Sequence, residues 1–236
     1  MSSVDSSTSD PFASCTSPSD TVRKGVLIMD ACPVTAMGIK RVLTQSCGIT
    51  EPVSYVQNLA GIPHCIDSML PKLLIMDLCG EKELMLDGLR LLAHLHDSHP
   101  LMKIIVCTDF SDHRVLELLV SSKVSGILLK QEPVLALAQC VTNALSGKPQ
   151  WLSPRAKLLL SKATPAYPSL TARELDVLAC LFSGQSVSRV AQTMHRNIRT
   201  VSTHKRNAMV KLGFHNDSEL FAQGTWMAKV GPVVCH

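Results

Sequence analysis

The sequence predicts an α/β domain with a parallel sheet, followed by an all-α module of short helices. Up to about residue 147, short apolar segments alternate with helical patterns, which is typical of successive βα units. A proline-punctuated stretch then ends the alternation, and only helical patterns follow it. The 46% hydrophobic content excludes a disordered chain. No uninterrupted apolar run approaches about 18 residues, which excludes a membrane-spanning helix.

The predicted sheet has five strands: Val26–Asp30, Val53–Val56, Lys72–Leu78, Lys103–Thr108 and Gly126–Lys130. These segments are mostly continuously apolar rather than alternating, which indicates strands buried on both faces, as in a parallel sheet. Helical spacing at Leu84–Leu95, His113–Val120 and Val134–Leu145 supplies connections between them. We therefore expect a five-stranded doubly wound sheet, with ligand sites at the carboxyl ends of its strands.

The remaining segments define the expected domain boundaries. Residues 1–22 are rich in Ser, Thr and Asp, lack the features of a signal peptide and predict a disordered tail. The α/β domain is expected over 23–147, and four prolines mark a linker over 148–168. The helical module is expected over 169–224, with a C-terminal tail over 225–236.

The formal net charge of +4 divides unevenly along the chain. Residues 1–150 carry 12 Lys/Arg and 15 Asp/Glu, whereas residues 151–236 carry 11 and 4. A basic C-terminal part favours a polyanion-binding module, and a solvated basic face is the alternative. The nine cysteines show neither a Cys-x-x-Cys pair nor a zinc-site spacing, which is typical of a reducing compartment and predicts a cytoplasmic protein.

The helical module carries start and stop signals for successive helices. Thr171 and Glu174 form a capping box, and Gly184 ends the first helix. A second helix begins at Ser186, and after a short turn a third runs over about Ile198–Leu212. Two short helices joined by a tight turn indicate helix-turn-helix geometry.

The third helix is amphipathic. Its predicted buried side consists of Ile198, Val201, Ala208, Met209 and Leu212. Six basic residues and no acidic residue lie between Arg189 and Lys211. Small and basic side chains on the outer side favour a helix that enters the major groove of DNA, and a surface helix of a bundle is the alternative.

Three segments of the module resemble the LuxR/FixJ-type (NarL-type) helix-turn-helix family: Leu170–Leu178, Thr200–His204 and Lys211–Gly213. The stretch Asn197–Asp217 looks most like the Rcs capsule-regulator subgroup of that family. The resemblance implies base contacts from Ser202, Thr203 and Arg206, and contacts near the phosphate backbone from Thr200, Lys205 and Lys211, with Arg199 on the same outer side. It also implies dimerisation through a following helix, with Leu220 and Phe221 as candidates.

Four polar residues stand at the ends of predicted strands and would converge at one edge of the sheet: Asp30, Asp77, Thr108 and Lys130. This set resembles a response-regulator receiver. The resemblance implies that Asp77 accepts a phosphoryl group from a histidine kinase, with Thr108 and Lys130 binding the phosphoryl oxygens. Asp30 and Asp77 are the candidate ligands for a Mg²⁺ ion.

The predicted receiver departs from this pattern in three places. Ala31 stands where a second acidic residue is usual, and the loss of one carboxylate from about three weakens the binding of a divalent cation. The loop after Asp77 lacks the usual Met-Pro, and Ile127 takes the place of a switch aromatic residue. We therefore expect a receiver fold without a resident cofactor, whose regulation is independent of phosphate; poor phosphorylation of Asp77 is the alternative.

These features predict a sequence-specific DNA-binding transcriptional regulator that acts as a homodimer or as a heterodimer with a related response regulator. Its expected partners are double-stranded DNA, that second regulator and RNA polymerase, with no membrane, and its expected location is the nucleoid. A conventional regulator phosphorylated on Asp77 is the first alternative, and a protein-docking or phosphate-sink receiver without a DNA role is the second. An enzyme is not expected, because the sequence shows no Gly-rich phosphate loop, metal cluster or paired nucleophile and base.

Overall fold

The computed structural model describes residues 25–161 and 168–229. Its first domain is a parallel sheet in the order β2-β1-β3-β4-β5-β6. The strands are β1 Val26–Met29, β2 Val53–Val56, β3 Leu73–Met76, β4 Lys103–Thr108, β5 Gly126–Leu129 and β6 Trp151–Leu152. The strand order reverses between β1 and β3, and in doubly wound sheets this reversal opens a crevice at the carboxyl ends of the strands.

Helices cover both faces of the sheet: α1 Pro33–Gln45, α2 Gly61–Met69, α3 Met85–Ser98, α4 His113–Ser121 and α5 Val134–Leu145. Alternate strand residues point to opposite sides, so that Leu74 packs with the residues of α2, α3 and α4, whereas Ile75 packs with those of α1 and α5. Burial of both sets explains why the strands read as continuous apolar segments. The predicted α/β fold class is confirmed.

The sheet has six strands rather than the predicted five. Trp151 and Leu152 pair with Gly126 and Ile127 of β5, and α6 (Pro154–Ser161) then packs against β5 and α4. The predicted linker of 148–168 is therefore wrong over β6 and α6, which belong to the α/β domain. A two-residue strand has no periodicity that could be recognised in the sequence, and it is stabilised by pairing with β5. Residues 162–167 of that linker and the predicted tail over 1–22 lie outside the described residues.

Within residues 168–229, the second domain contains four α-helices: α7 Ala172–Phe182, α8 Val187–Thr193, α9 Ile198–Lys211 and α10 Asp217–Gln223. Val177, Val190 and Val201 belong to one buried cluster that joins α7, α8 and α9. Ile198 was expected in this core, but its side chain is 48% exposed because it lies at the first turn of α9. The predicted C-terminal tail is also wrong in part, since Gly224–Ala228 form a 3₁₀ helix with buried residues.

The two domains contact each other through α3 and α7. Asp176 on α7 lies 3.4 Å from Nε of Arg90 and 3.5 Å from Nε2 of His94, both on α3. None of the helices in the two described ranges is long and apolar enough to cross a membrane.

Candidate functional sites: an acidic pocket and a nucleic-acid interface

The register of the sheet brings the ends of β1 and β3 together. Met29 pairs with Met76, so the residues that follow them, Asp30 and Asp77, leave the sheet side by side. The loop after Asp77 lies so close to α3 that a Cβ atom on Gly88 would collide with the carbonyl oxygen of Leu78. Strand pairing and the close approach at Gly88 therefore position Asp30 and Asp77 through the backbone, independently of their side-chain contacts.

Lys130 joins the acidic residues directly. Its Nζ lies 2.7 Å from Oδ2 of Asp30 and 2.7 Å from Oδ2 of Asp77. The backbone N–H groups of Cys32 and Leu78 donate to the other oxygens, Oδ1 of Asp30 and Oδ1 of Asp77, at 2.8 and 2.7 Å. The structure thus places these three predicted residues in one buried cluster, here called the acidic pocket.

The fourth predicted residue, Thr108, lies at the same edge of the sheet. Its carbonyl oxygen accepts a hydrogen bond from the N–H of Lys130 at 3.0 Å, and its side chain is completely buried. Asp109, which the sequence reasoning missed, has Oδ2 4.0 Å from Nζ of Lys130. Its position directly after Thr108 at a strand end was the signal that could have identified it.

Burial and neighbouring charges have opposite effects on the pKa values of the groups in the acidic pocket. Burial raises the pKa of Asp30, although the neighbouring Lys130 opposes this effect. Burial also disfavours the Lys130 ammonium, but attraction by Asp77 and Asp30 outweighs it and raises the pKa of Lys130. The lysine therefore remains protonated between two carboxyl groups.

The acidic pocket offers fewer oxygen ligands than a Mg²⁺ ion usually has. A site of this kind needs several oxygen ligands, and Ala31 offers no side-chain oxygen beside Asp30. The two carboxylates are each already paired with the same ammonium group. Within residues 25–161 and 168–229, no group of three or more His, Cys, Asp or Glu residues has an arrangement that could hold a metal ion.

The second site is the surface of α8 and α9. Ser186 caps α8 by accepting the N–H of Arg189 at 3.2 Å, and Asn197 caps α9 by accepting the N–H of Arg199 at 2.8 Å. Asparagine and serine are favoured caps because a short side-chain oxygen satisfies an N–H group that has no partner within the helix. These caps define where α9 begins.

The structure exposes most of the predicted DNA-binding residues. Among the predicted DNA-binding residues, those exposed on α9 are Arg199, Thr200, Ser202, Thr203 and Arg206. The hydroxyl of Thr203 donates to the carbonyl oxygen of Arg199 at 2.9 Å, which leaves its lone pairs available as acceptors. Positions 199, 202, 203 and 206 follow helical spacing and share one face of α9.

Two predicted phosphate contacts are instead engaged within the protein. Nζ of Lys205 lies 2.7 Å from Oδ2 of Asp217, and Nζ of Lys211 lies 2.7 Å from Oε2 of Glu174. The carboxylate of Glu174 is buried, so the charge of Lys211 compensates it. Lys211 thus has a structural role in this arrangement that its position in the sequence did not reveal.

The two dimerisation candidates differ in exposure. Leu220 has no exposed surface and packs within the core, so it is not available to a second molecule in this arrangement. Phe221 is 44% exposed, and its ring lies edge-on to Phe182 at a centroid distance of 5.7 Å. Helical spacing alone does not tell which of two adjacent apolar residues points inward.

Comparisons with known proteins assign both domains. Residues 168–222 match the family model of bacterial regulatory proteins, luxR family. The transcriptional regulatory protein RcsB of Escherichia coli K12 is 30% identical over 201 residues, which span 83% of this chain and 91% of that protein. This chain belongs to the RcsB family.

Solved structures of RcsB extend over the same two domains. One RcsB structure from Salmonella typhimurium is 26% identical, with a TM-score of 0.54 over 85% of this chain and 97% of that chain. Another, of RcsB from Salmonella enterica serovar Typhimurium bound to promoter rprA in the presence of phosphomimetic BeF3⁻, is 25% identical, with a TM-score of 0.59 over 88% of this chain and 100% of that chain. The first domain is therefore a response-regulator receiver, and the second is a LuxR-type helix-turn-helix domain.

Membership of the RcsB family confirms the coarser expectations from the sequence. The chain is a DNA-binding transcriptional regulator of the response-regulator type. The luxR family match ends at residue 222, so the buried 3₁₀ helix that follows lies beyond the residues matched by that family model.

Proposed function

We propose that this RcsB-family regulator binds specific DNA sequences through α9 and acts without phosphorylation of Asp77. It binds as a homodimer or as a heterodimer with a related response regulator, so that two copies of α9 read half-sites about 10 base pairs apart. The observation that carries phosphate independence is Ala31, which offers no carboxylate beside Asp30 where a second acidic residue is usual. RNA polymerase is a further expected partner, and the nucleoid is the expected location.

The exposed face of α9 supports the DNA-binding role. Ser202, Thr203 and Arg206 combine hydroxyl and guanidinium groups, which donate to and accept from base edges in the major groove. Three further exposed arginines supply positive charge toward phosphate groups: Arg189, Arg196 and Arg199. The RcsB structure with promoter rprA supports the same role by relationship.

A salt titration tests the DNA-binding role. If four basic groups in each chain contact phosphates, a dimer makes about eight contacts, and the logarithm of affinity falls with the logarithm of salt concentration at a slope of about −7. Arg206→Ala is expected to cost roughly 1–3 kcal/mol and to weaken the preference at one base position. Arg155→Ala, an exposed arginine on α6, is the matched control. A slope near zero would exclude the role.

The acidic pocket supports phosphate independence. A phosphoryl group on Asp77 adds negative charge next to Asp30 and Asp109, and receivers of the usual kind offset this charge with a metal ion. Here one carboxylate ligand is absent at Ala31, and the only cation within 4.0 Å of these carboxylates among the described residues is Lys130. The ammonium group of Lys130 therefore neutralises part of the carboxylate charge of the acidic pocket without a metal ion.

Two substitutions test phosphate independence. Asp77→Ala is expected to leave regulation of a reporter gene intact, because Lys130 retains its pair with Asp30. Ala31→Asp is expected to increase affinity for Mg²⁺, measured by calorimetry, because it restores a carboxylate ligand. If Asp77→Ala remains folded by circular dichroism but loses regulation, Asp77 is phosphorylated in the conventional way.

Conventional phosphorylation of Asp77 remains the second candidate, and one observation favours it. Asp77, Thr108 and Lys130 converge at one edge of the sheet, which is the arrangement that the conventional reaction uses. A receiver that only docks other proteins or collects phosphate is the third candidate. The capped α9 and its exposed arginines favour DNA binding over that role.

A further inference from the structure

The segment Gly224–Lys229, here called the strap, runs from the DNA-binding domain onto the receiver. It follows α10, and its first five residues form a 3₁₀ helix. Trp226 is 5% exposed and Met227 is completely buried, so the strap is packed rather than extended into solvent. The helix-turn-helix family match ends before it, and its 3₁₀ helix contacts α7 and α10 of the DNA-binding domain as well as α3 of the receiver.

The strap contacts the receiver at two points on either side of the acidic pocket. The N–H of Met85, the first residue of α3, donates to the carbonyl oxygen of Lys229 at 2.9 Å. The guanidinium carbon of Arg114, near the start of α4, lies 4.8 Å from the centre of the Trp226 ring, which is cation–π geometry. The strap therefore joins the beginnings of α3 and α4.

The end of the strap reaches the mouth of the acidic pocket. A cavity of about 540 Å³ opens above Asp77, and its walls include Thr108, Asp109, Asp112 and Lys229. Asp77, Asp109 and Asp112 carry carboxylates, so the ammonium of Lys229 is attracted to the rim of the cavity. A hydrogen bond from Arg114 lowers the pKa of Asp112, and the charge of Lys229 adds a smaller effect in the same direction.

We propose that the strap is an intramolecular latch that closes the acidic pocket and holds the DNA-binding domain against the receiver. A partner that reaches Asp77 must displace Lys229, and displacement of Lys229 also removes the hydrogen bond to Met85. Opening of the acidic pocket and release of the DNA-binding domain are therefore the same conformational equilibrium. Binding of a partner at Asp77 shifts this equilibrium, and so does release of the DNA-binding domain. This inference does not depend on DNA binding or on phosphorylation.

Charge reversal at the end of the strap tests the latch. Lys229→Glu in the full chain places a carboxylate against Asp77, Asp109 and Asp112. Exchange of the Met85 amide hydrogen is expected to become about threefold to tenfold faster, because exchange requires the strap to open. Lys40→Glu makes the same charge change at an exposed site on α1 and is expected to leave this exchange rate unchanged.

A second pair of variants tests the Trp226 contact separately. Arg114→Met removes both the cation above Trp226 and the ion pair with Asp112, whereas Asp112→Asn removes only the ion pair and keeps an oxygen that can cap α4. In a Trp151→Phe background, quenching of Trp226 fluorescence by acrylamide is expected to rise about twofold in Arg114→Met alone. A thermal melt establishes that each variant is folded. If folded Lys229→Glu and Arg114→Met both match their controls, the latch is refuted.

Discussion

Asp176 on α7 of the DNA-binding domain forms an ion pair with Arg90 on α3 of the receiver, with Oδ1 3.4 Å from Nε. His94 on the same helix lies 3.5 Å from the same oxygen. The side chain of Asp176 is 13% exposed, whereas that of Arg90 is 41% exposed, so water screens one partner more than the other. The pair lies at the contact between the two domains and contributes to their relative orientation.

We expect a double-mutant cycle of Asp176→Asn and Arg90→Gln to give a coupling energy of roughly 0.5–1 kcal/mol, because a half-exposed pair is weakened by solvent. The measurement is the change in unfolding free energy in urea. Arg173→Gln is the control, since Arg173 contacts Asp176 within α7 and does not cross between domains. Strictly additive effects of the two substitutions would contradict the interdomain pair.

Lys130→Met is expected to destabilise the receiver by roughly 3–5 kcal/mol, because it leaves two buried carboxylates side by side without a cation. Urea unfolding followed by circular dichroism measures the loss. Adding Asp30→Asn and Asp77→Asn to this variant should recover much of the stability, since the uncompensated charge is then removed. Unchanged stability of Lys130→Met would show that the two ion pairs do not form.

The stability of the DNA-binding domain is expected to depend on Glu174 at acidic pH. Burial alone would raise its pKa, but hydrogen bonds from Lys211 and Thr171 outweigh burial and lower it. A lowered pKa means that the stabilisation is present above the usual carboxyl value of about 4.3 and is lost as pH falls through the folded value. Glu174→Gln should therefore flatten the stability profile below about pH 4.3. Thermal melts across that range would contradict this expectation if the two profiles fall in parallel.

Asn197→Ala is expected to lower the stability of the DNA-binding domain by about 1 kcal/mol, because it removes the side-chain oxygen that accepts the N–H of Arg199. Asn197→Asp should retain the cap and most of the stability. Asn207→Ala, at an exposed position inside α9, should be neutral or slightly stabilising because alanine favours helix interiors. Equal losses at Asn197 and Asn207 would show that the cap contributes little.

Particular elements show where the sequence was sufficient. Strand β4 begins and ends at the predicted residues, Lys103 and Thr108, because a long apolar segment between polar ends has few alternative structures. The convergence of Asp30, Asp77, Thr108 and Lys130 was also predicted, since parallel strands carry the residues that follow them to one edge of the sheet. Strand β6 was missed because two residues carry no pattern of their own.

The amino-acid sequence was enough to predict the order of the βα units and the capped helices of the DNA-binding domain, and it shows that Ala31 replaces an acidic residue. Local periodicity, capping and strand ends encode these features, because each depends on residues near one another in the chain. The pairing of Lys211 with Glu174 and the packing of Trp226 under Arg114 are visible only in the folded arrangement. Those pairs are 37 or more residues apart in the chain, and helical spacing shows which face a residue lies on without showing what packs against that face.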